Sequence, residues 1–510
     1  MKKKLLSMLL ATTMVVGMLT GCGATDEATT DKESKVEQDA QESDSQQASG
    51  ETEKEVVDLR LIFYGDMTTR REEFFKNEFH DAVLEDLSID LTVETLPWGA
   101  DSQIATMLAS GESFACYNIV SAFDWPSKGY LAKIDMGLIE EHCPNLIAAR
   151  GETNGFECVK YQGDIYAIPF GNKPYSGGLQ MFSVRNDLLK KIGYEASEIT
   201  TYDELMEMLE VAHAAYPDMR VSRGVDLRSA LAPELTDAVA VWSGVSYAYV
   251  NSAEEGDKVY SYYESEWFEK ACKETEKWVQ LGYIGSDILT NPTQEIADWE
   301  AGNCLMMYGM PGALISTSLQ AVVPDAEESL ICLDGITKVK ANDYDWGISI
   351  SASDQDKVDR WLSLFDWMYQ DQEHYNFCVY GVEGKDWEYN EDGTINRICK
   401  DSFIDSWFME AIPYNNYSPS ISEENVERYM AWDEGSILAK NSGFSFDSTP
   451  VSAELAMMTA VYTEYIQPLE VGLVSYDENY EEAIAALKEA GLDAYMAEYQ
   501  KQFSEWYANK

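Results

Sequence analysis

The chain has 510 residues, 45% of them hydrophobic and 12% aromatic, with 37 Lys plus Arg against 90 Asp plus Glu for a formal charge of −53. It is too long for one core at ordinary domain sizes, which suits two domains or lobes. The charge excludes a non-specific grip on nucleic acid or anionic lipid, since both rely on Lys and Arg neutralising phosphate.

The chain starts Lys2-Lys3-Lys4, continues with an apolar run over residues 5–19, and reaches Leu19-Thr20-Gly21-Cys22. An apolar stretch of about 15 residues is short for a membrane span, and small residues precede the expected cut. Residues 1–21 resemble a bacterial lipoprotein signal peptide. That resemblance implies that Cys22 becomes the new N-terminus and carries lipid on its sulfur and amine, the several acyl chains that stable anchoring requires. The alternative is an ordinary secretion signal followed by an incidental cysteine. Over residues 22–57 Asp, Glu, Ser, Gln and Thr dominate. Such a stretch cannot bury enough apolar surface to offset its ordering entropy, so it reads as a disordered acidic tether.

Folding is expected from residue 58. Residues 57–64 alternate and then turn solidly apolar, a strand entering a core and ended by Gly65-Asp66. Residues 70–87 are helical in period, with Phe74, Phe75, Phe79 and Val83 on one side. Residues 89–96 read as a second strand ending at Pro97-Trp98, residues 103–110 as a helix stopped by Gly111, and residues 117–121 as a third strand. Strands alternating with helices predict an α/β sheet covered by helices. Loops leaving the carboxyl ends of such strands line a ligand crevice, which places Tyr64, Asp66, Trp98, Asp124 and Trp125 around one opening. Eight cysteines follow Cys22, scattered from Cys116 to Cys399 without a CxxC pair. That scatter reads as small buried thiols rather than a disulfide framework.

Asn118-Ile119-Val120 through Trp125-Pro126 and Gly129-Tyr130-Leu131-Ala132-Lys133-Ile134-Asp135, then Tyr161-Gln162-Gly163-Asp164-Ile165-Tyr166-Ala167-Ile168-Pro169-Phe170, then Phe182-Ser183-Val184-Arg185-Asn186-Asp187-Leu188-Leu189 resemble the extracellular solute-binding proteins of ABC importers. Residues 268–281 followed by Ala301-Gly302-Asn303-Cys304 through Tyr308-Gly309-Met310-Pro311-Gly312 resemble the second lobe of the maltose-binding type. The tail, with Tyr380-Gly381-Val382-Glu383-Gly384-Lys385-Asp386-Trp387, Gly443-Phe444-Ser445-Phe446-Asp447 and Gln500-Lys501-Gln502-Phe503-Ser504-Glu505-Trp506, is similar to LplA-like lipoproteins of Gram-positive bacteria.

The resemblance implies a two-lobed periplasmic-binding-protein-like α/β fold of type II, with ligand in the cleft and hinged closure. It places crossings near Pro169-Phe170-Gly171 and Trp346-Gly347-Ile348-Ser349. Lobe one would be residues 58–169 plus 348–400, and lobe two residues 170–347 plus 401–510. A sugar has apolar C–H faces and a polar rim, so aromatic platforms combined with carboxylates and amides suit it. Trp98, Trp125, Trp242, Trp346 and Trp387 lie beside turn residues and are candidate platforms, with packing as the alternative. Trp278, Trp361, Trp367 and Trp506 sit in helical patterns and read as core. Asp66 and Asp124 could take paired hydroxyls, capping being the alternative for Asp66. Phe170, Lys173 and Tyr175 flank the first crossing. Lys173 and Tyr175 could bind a carboxylate, which matters because some LplA-like proteins are assigned to acidic xylo-oligosaccharides; neutral and acidic sugars both stay open. Met310 would be presented by a Pro-Gly turn, Met307 reads as core, and Arg185 as structural.

Enzyme readings find little. His80, His142, His213 and His374 are not in HExxH spacing and read as helix-surface residues; no nucleophile elbow, Walker loop or dinucleotide fingerprint follows a strand. With 90 carboxylates a glycosidase pair always exists on paper. Glu388 to Gly393 half-matches a calcium loop, but Cys399 stands where a bidentate Glu is needed, and Asp392-Gly393 reads as a hairpin turn. The expectation is a lipid-anchored, monomeric solute-binding protein on the outer face of the membrane. It would capture an oligosaccharide and deliver it to ABC permease subunits, with no catalytic residue, metal or cofactor and no nucleic-acid partner. The alternatives are a binder of oligopeptides or other small polar solutes, a surface glycan-degrading enzyme, and an adhesin, against which the lack of repeats counts.

Overall fold

The computed structural model describes residues 55–510 apart from 98, 120–124, 152–155, 157–158, 171–180, 223–246, 253, 291–297, 300, 309–318, 320–321, 334–338, 341–345, 392, 418–421 and 445. Its two main sheets use strands β1 (Val57–Tyr64), β2 (Ile89–Leu96), β3 (Ala115–Ile119), β4 (Ile168–Pro169), β5 (Met181–Arg185), β6 (Arg220–Ser222), β7 (Cys304–Tyr308), β8 (Glu328–Cys332) and β9 (Trp346–Ile350).

The first sheet has the order β2-β1-β3-β9-β4. β1 and β2 run parallel and in register from Val57 opposite Ile89 to Tyr64 opposite Leu96. Residues 61–64 are buried without alternation, as expected of a parallel strand covered on both faces. β9 arrives from far along the chain and lies antiparallel between β3 and β4. A Cβ on Gly347 would stand 2.4 Å from the Ile168 carbonyl oxygen, so only glycine lets β4 approach β9 there.

The helix read over 70–87 forms as Thr69–Phe74, a widened turn Phe75–Phe79, and His80–Leu87, closed by Ser88 at φ 54°. Phe74, Phe75, Phe79 and Val83 are all buried, the face that the periodicity marked. The cap is Thr68, whose hydroxyl accepts from the Arg71 N–H, rather than Asp66. The helix Asp101–Ser110 ends at Gly111 with φ 80°.

Residues well beyond 400 belong to this first core. Phe403, Ile404, Phe408, Met409 and Ala411 are buried in it, with Phe403 4.3 Å from Phe74 and Phe408 4.1 Å from Tyr117 by ring centroids. A hairpin, Trp387–Tyr389 against Ile395–Arg397, turns at Gly393 with φ 84°, the turn expected in place of a calcium loop. Its base is fixed by Arg70, whose Nε and Nη2 donate to Asp386 at 2.8 and 2.6 Å. Asp386 is 2% exposed and also accepts from the Val382 N–H.

The second sheet has the order β8-β5-β7-β6. Phe182, Val184, Met306 and Ile331 pack with helix Tyr202–Ala215, which starts in a capping box between Thr201 and Glu204. Helix Glu266–Gln280 buries Trp267, Phe268, Cys272 and Trp278. The C-terminal helices Tyr476–Glu489 and Leu492–Tyr507 join Tyr247, Tyr249, Tyr262, Tyr263 and Phe268 in a separate, aromatic-rich core. Trp278, Trp361 and Trp367 are core as expected, whereas Trp506 is only partly buried, with Lys510 4.8 Å from its ring centroid. His213 is not a plain surface residue, for its ring lies 5.4 Å from that of Tyr283. Cys143 and Cys378 are buried thiols whose pKa burial pushes far up, which makes them unreactive; Cys158 lies outside the described residues.

Two buried carboxylates give opposite expectations. Asp386 is the buried partner of Arg70, so Asp386→Ala removes two hydrogen bonds from a guanidinium left with Glu73 and Glu78, and should cost ~2 kcal/mol in a urea unfolding series; a loss within ~0.5 kcal/mol would mean that the pair is effectively solvated. Glu328, opposite Arg185 in the register, has no hydrogen bond to either carboxylate oxygen, because Arg185 already donates to Asp187 and the Gly302 carbonyl. Burial raises its pKa to about 8, the Arg185 charge opposing. The folded protein therefore binds a proton that the unfolded chain has released between pH 4.5 and about 8, and stability falls as pH rises through that window. Glu328→Gln should flatten that fall and gain on the order of 3 kcal/mol at pH 7; parallel pH–stability curves for the two proteins would refute it.

Candidate functional site

Register alone assembles one edge of the first sheet. Tyr64 ends β1 opposite Leu96, the last residue of β2; Ile119 ends β3 opposite Trp346; and Pro169 ends β4 opposite Gly347. The chain leaves this edge after Phe170 and re-enters it at Trp346. On the second sheet Met181 lies opposite Cys332, and Phe182 opposite Tyr308, so β5 begins and β7 and β8 end at a single edge. In chain order the first edge at Phe170 is thus followed by the second at Met181, and the second edge at Cys332 by the first at Trp346. In open α/β sheets a ligand lies against strand ends and the loops beyond them, and both edges are of that kind.

Four acidic side chains and one arginine organise the described part of the first edge. The Tyr64 hydroxyl donates to Asp101 Oδ1 at 2.6 Å, and burial, reinforced by that carboxylate, holds its pKa well above the usual phenol range. Gly65 turns the chain at φ 114°. Arg71 lies beneath the loop that follows, donating from Nε to the Phe403 carbonyl at 2.7 Å and from Nη1 to the Asp66 carbonyl at 2.9 Å. Burial lowers its pKa, and the nearby Asp405, Asp401 and Asp66 oppose that. Thr68 donates to Asp401 Oδ2 at 2.5 Å, tying the cap of the first helix to the same segment. The Asp66 side chain is exposed beside this clamp. The edge so built is rich in hydrogen-bond acceptors, and its Arg71 guanidinium is committed to backbone carbonyls.

The residues singled out in the sequence fall into three groups. Tyr64 and Asp66 stand at this edge, Tyr64 buried and bonded, Asp66 exposed. Trp346 has its backbone at the edge, in register with Ile119. Trp98, Asp124, Lys173, Tyr175, Trp242 and Met310 lie outside the described residues, as does Cys22, and Met307 lies on β7. Three candidates are core. Trp125 is 2% exposed within the first hydrophobic core. Phe170 is buried edge-on against Phe365 and Tyr369, at 5.2 and 5.7 Å. Trp387 donates its indole N–H to the Gly381 carbonyl and packs against Tyr389 at 4.9 Å. Proximity to a turn signalled exposure for Trp125 and Trp387, and a place at the first crossing did so for Phe170, but packing claims all three rings. Arg71, Asp101, Asp401 and Asp405 were missed. A buried arginine has no local signal, and Asp401 lies more than 300 residues from the Thr68 that it binds.

Arg185 is structural, both guanidinium branches being occupied by Asp187 and Gly302. Among the described residues no group of His, Cys, Asp and Glu is placed to hold a metal ion, and no helix is long and apolar enough to cross a membrane.

Comparison with known proteins follows from this geometry. Residues 440–508, most of the C-terminal helical region, match a family described as a domain of unknown function (DUF3502). A "Carbohydrate ABC transporter substrate-binding protein" of Streptococcus pneumoniae is 24% identical over 485 residues, covering 91% of this chain and 94% of that protein. The crystal structure of the N-glycan transport solute binding protein NgtS from Streptococcus pneumoniae superposes with a TM-score of 0.70 at 19% identity, over 89% of this chain and 99% of NgtS; its complex with Man5GlcNAc gives 0.69. A human-milk-oligosaccharide ("HMO") binding, ABC-transporter-associated solute binding protein from Bifidobacterium longum infantis gives 0.58 at 16% identity, over 89% and 99% of the two chains. The fold is therefore the two-lobed α/β fold of solute-binding proteins.

Because Trp125 is core, Trp125→Ala should lower stability by ~3 kcal/mol or more through the cavity it leaves, whatever it does to ligand. An unchanged melting temperature would return the ring to the cleft.

Proposed function

We propose that this chain is the substrate-binding protein of a carbohydrate ABC importer, capturing an oligosaccharide between its two lobes and presenting the closed form to the permease. The observation that carries the reading is the pair of sheet edges joined by both connections, in a fold shared along nearly the whole chain with proteins whose names state sugar binding. The chemistry at the first edge agrees with it. Asp66 and the carboxylates around Arg71 are acceptors suited to sugar hydroxyls, and no bond-breaking step is needed for capture and delivery. Relatives of this kind are binding proteins rather than enzymes.

The finer assignments belong to the same proposal. Residues 1–21 are a lipoprotein signal peptide, Cys22 carries lipid, and residues 22–57 tether a monomeric body outside the membrane. Lobe one holds the first sheet and lobe two the second. The ligand meets Tyr64, Asp66, Trp98, Asp124, Lys173, Tyr175, Trp242, Met310 and Trp346.

A ligand that binds only the native state raises the melting temperature. A thermal-shift screen against neutral oligosaccharides, uronate-containing oligosaccharides and oligopeptides should give a sugar-selective rise without release of cleaved product. A rise with peptides alone, or cleavage of the sugar, would overturn the reading.

A further inference from the structure

Beyond residues 171–180 and 333–345, the chain passes between the two cores once more, with residues 409–417 described at one end of this passage and 422–432 at the other. Its near end belongs to the first core. Met409 and Ala411 are buried there, and the Tyr369 hydroxyl donates to the Met409 carbonyl at 3.0 Å. The next residues are bonded to the helix Gln372–Tyr380 and its approach: the Tyr414 hydroxyl donates to the Tyr369 carbonyl at 3.2 Å, the Tyr375 hydroxyl to Asn415 Oδ1 at 3.3 Å, and Asn416 Nδ2 to Asn376 Oδ1 at 2.8 Å.

Its far end belongs to the second sheet. Helix Glu423–Met430 is capped by Ser422, and its Asn425 Nδ2 donates to Ser329 Oγ on β8 at 2.8 Å. Tyr429, with Trp432 just beyond the helix, packs in one cluster with Leu330 and Cys332 of the same strand. Among the described residues a buried polar contact joins these two anchored ends. The Tyr429 hydroxyl donates to Glu410 Oε1, and both residues are fully buried. The Tyr417 ring stands edge-on to Tyr429 at 6.3 Å.

We propose that the Glu410–Tyr429 hydrogen bond is a hinge latch that sets the balance between open and closed lobes in the ligand-free protein. Residues 409–416 move with the first sheet and the helix Glu423–Met430, with the Tyr417 ring in its cluster, moves with the second, because each is held to its own sheet by side-chain bonds and packing. Any rotation of one sheet against the other is therefore felt where the two ends meet, at Glu410 and Tyr429. A carboxyl acceptor in a water-excluded setting makes a directional bond that is costly to break, so the contact favours those lobe angles that keep its geometry. Tyr429 and Glu410 are positioning residues in this scheme; neither need touch the ligand. The inference rests on the two-lobed arrangement and is independent of what the ligand is.

The test is an inter-lobe distance distribution measured without ligand by double electron–electron resonance on the full chain. Spin labels go on the exposed positions Glu85→Cys and Glu210→Cys, in a Cys158→Ser, Cys399→Ser background. Tyr429→Phe keeps the ring and removes the bond, and should shift the ratio of the two distance populations by about tenfold. Glu410→Gln keeps an acceptor and should shift it less, in the same direction. A Tyr429→Phe protein that melts lower yet shows the parent distribution would make the bond merely structural and overturn the proposal. Should Tyr429→Phe fail to fold, a Glu410→Gln distribution identical to the parent's would overturn it as well.

Discussion

The interposition of β9 between β3 and β4 is the constraint on which the rest of this architecture depends. A strand made almost 180 residues after β4 can sit beside it only if the intervening chain builds elsewhere and returns to the same edge. That return forces two connections out of one edge of the first sheet, and so fixes where the second sheet joins it. The close approach depends on the absence of a single side chain: at Gly347 any Cβ would collide with the Ile168 carbonyl. A larger residue there would push β4 off the sheet and with it Phe170, whose ring is wedged against Phe365 and Tyr369 at the start of the first connection.

The site edge shows how local chemistry is layered on that topology. Tyr64 and Asp66 are placed by the end of β1, but what holds the loop after them is Arg71, gripping carbonyls from residues 66 and 403 at once. Thr68 and Asp401 repeat the same tie through side chains. The loop carrying Asp66 is thus stiffened from a segment that follows the last strand of the sheet by some 50 residues. A preorganised acceptor loses less entropy on binding a hydroxyl than a mobile one, which is the physical use of such a clamp.

Much of this was legible in the sequence where a signal is local. The bounds of β1 and β2, the inward phenylalanines of the first helix, the stop at Gly111 and the turn at Gly393 all follow from periodicity, capping and glycine conformation. The third strand starts two residues earlier than expected, at Ala115, because pairing with β1 rather than apolar content sets its start. What was not legible depends on distant partners. No pattern near residue 400 says that Phe403 will stack on Phe74 or that Ala411 is still in the first core. Nor does a tryptophan beside a proline reveal whether its loop is lifted from the core or laid upon it; Trp125 is laid upon it. A sequence similarity covering the whole chain could supply the fold, but the owners of particular ring faces are decided by packing.

Charge closes the argument. A formal charge of −53 works against any compact state through self-repulsion, and the basic residues are placed to counter it at the joints. Arg60 on β1 joins Glu94 of β2 to Glu112, Lys190 joins Glu195 to Glu327, and Lys273 joins Glu269 of its own helix to Asp477 of a C-terminal one. Arg70 serves Asp386 and Glu78 together, and those carboxylates raise its pKa. Each of these cations is shared by acids from different segments, so its charge is already committed. At the first edge the same excess of acids surrounds the one arginine of the clamp, Arg71, with Asp66, Asp401 and Asp405, whose charges oppose the lowering of its pKa by burial.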